Sequence, residues 1–140
     1  MAVKQLSVYL SNRTGTLVNV TELLASSGIN LRSLSLADTE NYGILRLITD
    51  DTDRAAEILQ REGYPAKSRE VTAVSVPDEP GALNSVLRYL DDGDVNIEYM
   101  YSMINSERDR AYMIIRTDDF RRAEDVLRIH NVKLLNEDEL

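Results

Sequence analysis

Asp78-Glu79-Pro80-Gly81-Ala82-Leu83 reads against Asn12-Arg13-Thr14-Gly15-Thr16-Leu17 at a shift of 66 residues. Gly81 answers Gly15, and Leu83 answers Leu17. Val95-Asn96-Ile97 answers Ile29-Asn30-Leu31 at the same shift. Farther along, Thr117-Asp118-Asp119 answers Thr49-Asp50-Asp51, and Ala123, Val126 and Leu127 answer Ala55, Ile58 and Leu59, now at a shift of 68. The second copy therefore carries two extra residues, which the polar run Asn105-Ser106-Glu107-Arg108-Asp109 accommodates as a loop. A repeat of this length is a small domain, not a solenoid unit. The chain divides into copy one, residues 1–69, and copy two, residues 70–140.

Each copy spells the same elements. Leu6, Val8 and Leu10 alternate with Ser7 and Tyr9, as a strand with one buried face requires, and Val74 and Val76 repeat the phase. After the glycine loop, Leu17, Val20, Thr21 and Leu24 recur at helical spacing, as do Leu83, Val86, Leu87 and Leu90. Gly28 and Gly93 are read as helix stops. Second strands follow over 30–37 and 96–104, and third strands over 43–49 and 111–117. Asp38-Thr39-Glu40-Asn41 has hairpin-turn composition. Asp51 or Thr52, and Asp118 or Asp119, can cap a second helix, which Gly63-Tyr64-Pro65 ends in copy one. Short last strands fall near 66–69 and 133–135. The order β-α-β-β-α-β, twice, predicts an α+β fold of two ferredoxin-like units packed side by side, each an antiparallel sheet with both helices on one face. The acidic end, Asn136–Leu140, reads as a frayed tail.

Composition narrows the function. The 140 residues carry 16 Lys plus Arg against 24 Asp plus Glu, a net charge of −8. That balance argues against coating nucleic acid or an anionic membrane. Without cysteine there is no thiolate chemistry, and the single histidine, His130, gives no multi-histidine metal site. His130 reads as a surface residue. No cofactor is implied, and the chain start has no secretory pattern, so a cytoplasmic protein is expected.

The acidic-x-Pro-Gly-x-Leu turn at Asp78–Leu83, the helix after it and the apolar-Asn-apolar start at Val95-Asn96-Ile97 resemble the signature of ACT domains. Gly28-Ile29-Asn30-Leu31 in copy one is similar. The resemblance covers nearly the whole chain. It implies a stand-alone tandem of regulatory modules that bind an amino acid or similar zwitterion where domains meet, without catalysis. A homodimer is expected because the internal pairing still leaves sheet edges and helix faces, and a module without chemistry of its own must pass its signal to another protein, such as a metabolic enzyme regulated in trans.

The chemistry of the turns agrees with such a site. Glycine lets a ligand approach backbone, and unpaired amides at a helix start favour a carboxylate. The candidate residues are Asn12, Arg13, Thr14, Gly15, Thr16, Leu17, Asn30 and Leu31, with Asp78, Glu79, Pro80, Gly81, Ala82, Leu83, Asn96 and Ile97 in copy two. Asn12 and Asp78 could accept from an ammonium. Arg13 can grip a carboxylate in a fork, and Thr14 keeps an N–H that Pro80 lacks. Asp78 and Glu79 repel an anion, so the two turns are expected to be unequal. Tyr99, Met100, Tyr101 and Met103 suit either core packing or a pocket wall. A ligand-free scaffold is the alternative. Small acyl-phosphate hydrolases share the topology and use an Arg in the first loop, but Glu79 stands at the aligned place in copy two. An RNA-binding sheet would need aromatics on its central strands, and Gly43–Ile48 has none.

Overall fold

The computed structural model describes residues 3–11, 13–38, 42–104 and 106–140. The elements run β1 (Val3–Ser11), α1 (Thr16–Ser26), β2 (Leu31–Asp38), β3 (Tyr42–Thr49), α2 (Thr52–Arg61), β4 (Ala66–Pro77), α3 (Ala82–Asp92), β5 (Ile97–Ser102), β6 (Arg110–Thr117), α4 (Phe120–Ile129) and β7 (Lys133–Leu135). Contacts divide the chain into a unit of Lys4–Arg69 and a unit of residues 70–140 together with Val3. The last strand of copy one and the first of copy two are one element, β4, whose residues up to Arg69 belong to the first unit.

In the first unit the strand order is β2-β3-β1-β4. β3 pairs antiparallel with β1 and with β2, setting Leu6 against Leu47 and Val8 against Leu45. These residues share one face, because side chains alternate along a strand. Val20 and Leu24 of α1 and Ala55 and Leu59 of α2 close the core over that face. In the second unit β4 pairs antiparallel with β6 and β7, and β6 with β5, giving β7-β4-β6-β5. Val74, Val76 and Ile115 meet Val86 and Leu90 of α3 and Ala123 and Leu127 of α4. Both units are thus antiparallel sheets with two helices on one face, as the alternation and the helical stripes require.

The repeated Thr-Asp-Asp does two jobs. Asp51 and Asp119 cap α2 and α4, accepting from the amides of Arg54 and Arg122 at 3.1 Å. The aspartates before them tie down the turn that follows α1 or α3. The amide of Asn30 donates to Oδ1 of Asp50 at 3.0 Å and the amide of Asp50 donates back to the Asn30 carbonyl at 3.2 Å. Asn96 and Asp118 repeat the exchange at 3.0 and 3.1 Å.

Some expectations are revised. α3 ends at Gly93 as expected, but Gly93 does not supply the left-handed residue after the helix. Its φ is −81°, and Asp94, aligned with Gly28, takes φ 56° instead. Glycine at 93 serves packing: a β-carbon there would lie 2.7 Å from Cγ2 of Val126. β5 stops at Ser102, so Met103 and Ile104 lie past it. Residues 137–139 form a 3-10 turn, held by the Asn136 amide donating to Glu139 Oε1 at 3.2 Å, where a frayed tail was expected. His130 is exposed, but its ring stacks on Tyr89 with centroids 4.0 Å apart. Residues 39–41 of the first hairpin turn and Asn105 of the inserted loop lie outside the described residues. Among the described residues no helix is long and apolar enough to cross a membrane.

Candidate functional site

The glycine turns have one backbone and two chemistries. Gly15 has φ 90° and ψ −13°, and Gly81 has φ 86° and ψ −12°. Left-handed backbone at a helix start suits glycine, which has no β-carbon to clash. Among the described residues, neither helix receives a side-chain cap. The Thr16 amide reaches the Arg13 carbonyl at 3.3 Å, and the Asn19 amide reaches the Gly15 carbonyl at 3.0 Å. Between them the amides of Leu17 and Val18 find no acceptor among the described residues. The second turn repeats this with Ala82 to Glu79 at 3.3 Å and Ser85 to Gly81 at 3.0 Å, leaving Leu83 and Asn84. Within each unit, then, one helix is capped by aspartate and the other presents open donors and the positive end of its dipole.

At the first turn these donors stand beside a cavity of about 200 Å³ inside the Lys4–Arg69 unit. That is smaller than the roughly 300–1,000 Å³ of sites for drug-sized ligands. Leu10, Leu17 and Leu36 form its apolar floor; Ser11, Thr16, Arg13 and Asp38 supply its polar groups. Ser11 Oγ and Thr16 Oγ1 are 3.3 Å apart and share a hydrogen bond. Among the described residues the Arg13 guanidinium has neither an ion pair nor a hydrogen-bond acceptor. Gly43 completes the wall. A β-carbon there would sit 3.3 Å from Cδ1 of Leu36, so glycine keeps room for that leucine.

Of the candidates from sequence, the cavity gathers Arg13, Thr16 and Leu17, with Thr14 and Gly15 in the exposed turn between them. Asn12 lies outside the described residues. Asn30 and Leu31 follow the far end of the 11-residue helix α1, about 16 Å along its axis, and do not line the cavity. Asn30 and Asn96 are exposed and their backbones hold the turns described above, while Leu31 and Ile97 pack against the two cores. Asp78, Glu79, Pro80 and Gly81 are exposed, with Ala82 and Leu83 half-buried behind them. Of the aromatic and methionine run, Met100 packs on the second core, and the rings of Tyr99 and Tyr101 stack 6.4 Å apart.

Ser11, Leu36, Asp38 and Gly43 were not candidates from sequence. Alignment of the copies carries the signal that marks them. Ser11, Arg13, Thr16 and Asp38 correspond to Pro77, Glu79, Ala82 and Ile104, and Gly43 to Ala111. Every polar group of the first cavity is lost or reversed in the second copy, whereas the glycines that shape the turns remain.

These features define a tandem ferredoxin-like α+β protein of two repeated units, with an open helix start in each half. A family model described as an ACT domain pair matches residues 1–140, and the chain belongs to that family. Among solved structures it is similar to protein BT0572 from Bacteroides thetaiotaomicron, at 38% identity over 99% of this chain and 95% of that one, with a TM-score of 0.93. It shares its fold with the regulatory subunit of aspartate kinase from Thermus thermophilus, in ligand-free form, at 20% identity, 91% coverage of both chains and a TM-score of 0.69. The regulatory subunit from Thermus flavus is similar at 18% identity, 90% coverage of both and a TM-score of 0.62. The comparison with curated proteins finds no match.

Proposed function

We propose that the chain is an amino-acid-binding regulatory protein that takes one ligand at the first glycine turn. The observation that carries this reading is the presence of opposite charges, Arg13 and Asp38, among the residues that line one small and largely apolar cavity beside the open start of α1. A free amino acid presents a carboxylate, an ammonium and a side chain within a few ångströms. The carboxylate goes to Arg13 and the amides of Leu17 and Val18, the ammonium to Asp38, and the side chain to Leu10, Leu17 and Leu36. The second turn has the backbone but sets Asp78 and Glu79 where a carboxylate would go, so it holds no equivalent ligand.

In this reading the protein has no catalysis of its own and works in the cytoplasm as a homodimer. Ligand occupancy shifts a population of conformers that a metabolic enzyme or regulator recognises. Membership of the ACT domain pair family and the fold shared with two aspartate kinase regulatory subunits support it. A thermal-shift screen against the twenty amino acids tests it. A ligand at about 100 times its dissociation constant adds roughly 2.7 kcal/mol of stability. A flat response to all twenty overturns the reading.

A further inference from the structure

The cavity at the first turn owes its depth to one missing side chain. Leu10, Gly43 and Asp38 lie side by side across β1, β3 and β2. Gly43 continues the phase of Leu45 and Leu47, whose side chains fill the first core, so its bare α-carbon stands on the same face and lines the cavity. A β-carbon there would lie 3.3 Å from Cδ1 of Leu36, which bounds the space from β2. The second unit has Ala111 at this place, opposite Val76. The open volume is about 200 Å³. A dry cavity of about 150 Å³ takes up benzene, or about 25 Å³ for each carbon. By that measure the cavity at Gly43 holds about eight non-hydrogen atoms, the size of valine. Leucine and isoleucine exceed valine by one carbon, whereas phenylalanine is half as large again.

We propose that the first cavity selects an aliphatic amino acid of the size of valine, leucine or isoleucine, with Gly43 and Leu36 setting the limit. This rests on the amino-acid reading above and names the class of ligand. The ligand's carboxylate and ammonium engage the two charged residues that line the space, Arg13 and Asp38. A charged side chain would then be left unpaired against Leu10, Leu17 and Leu36. The hydroxyls of Ser11 and Thr16 already bond each other at 3.3 Å, which leaves the leucines to meet the ligand's side chain. Each methylene they cover adds about fourfold in affinity, so alanine is held weakly. A phenyl ring together with the zwitterionic head does not fit until Leu36 gives way.

Isothermal titration of the full chain with single amino acids tests the assignment. Valine, leucine or isoleucine should bind best, at least tenfold more tightly than alanine, phenylalanine, glutamate and lysine. Threonine is the sharpest comparison, since it keeps the shape of valine and puts a hydroxyl in place of a methyl. It should bind at least tenfold more weakly than valine. Leu36→Ala widens the cavity at a position that is 52% exposed, and should raise the affinity for phenylalanine relative to leucine at least tenfold. Leu34→Ala, on the same strand at 40% exposure but not lining the cavity, should leave the order of ligands unchanged. A best ligand that is aromatic, charged or smaller than valine would overturn the proposal and leave the amino-acid reading standing. So would threonine equal to valine, an order indifferent to Leu36→Ala, or one that Leu34→Ala shifts as much. A flat response to every amino acid would overturn both.

Discussion

Gly93 and Val126 meet across α3 and α4 with no room for a β-carbon, which would lie 2.7 Å from Cγ2 of the valine. The helices are also tied there by Arg122, whose Nε donates to the Gly93 carbonyl at 2.6 Å. Val126 is held in a helix and cannot swing away freely. Gly93→Ala should therefore cost about 1–3 kcal/mol through overpacking. Asp94→Gly, at the left-handed position beside it, should be neutral or stabilise by up to about 1 kcal/mol. Chemical denaturation of both variants checks the assignment; equal losses would count against a packing role for Gly93.

The double exchange between Asp50 and Asn30 is the second point to probe. Asp50→Ala leaves the exposed Asn30 amide to water and should cost about 1 kcal/mol, while Asp50→Asn keeps an acceptor oxygen and should recover most of it. Asp51→Ala removes a helix cap and should cost about the same, roughly 1 kcal/mol. Urea midpoints at constant slope measure all three.

Arg13→Ala should weaken amino-acid binding tenfold to a hundredfold, the worth of a charge-assisted hydrogen bond of about 1.5–3 kcal/mol. Asp38→Ala should weaken it by a similar factor through the ammonium. Asp78→Ala and Glu79→Ala should leave it unchanged. Isothermal titration of the four variants reads the result, and equal losses at both turns would count against a single site per chain.

Gly43→Ala adds a methyl group against Leu36 without changing any polar partner. It should reduce affinity for larger amino acids more than for smaller ones, with the melting temperature of the free protein little altered. A uniform loss across ligands would point to a backbone effect instead of a size filter.

Much of the fold was legible because the chain states it twice. The Gly-x-Leu turns, the Asn-apolar strand starts and the Thr-Asp-Asp caps recur in register, so weak local signals reinforce one another. What escaped reading depends on tertiary contact. Gly93 stands at the stop of α3, as its place in the sequence indicates, and only the approach of Val126 shows why glycine is needed there. Asp38 and Gly43 reach the cavity because β2 and β3 lie over the start of α1, while composition placed Asp38 in a turn. Asn30 drew attention by recurring, but its backbone alone makes the exchange with Asp50, which any residue with an amide and a carbonyl could make, so the exchange does not explain why asparagine stands there.

The matching torsions of Gly15 and Gly81 have a consequence for how the two halves can differ. Shape and surface chemistry are written in different residues here: glycine and the strand alternation preserve the scaffold, while the side chains around the two turns differ. Two halves with the same turn can therefore diverge in the side chains around it without endangering the architecture, as Arg13 and Glu79 do at aligned positions.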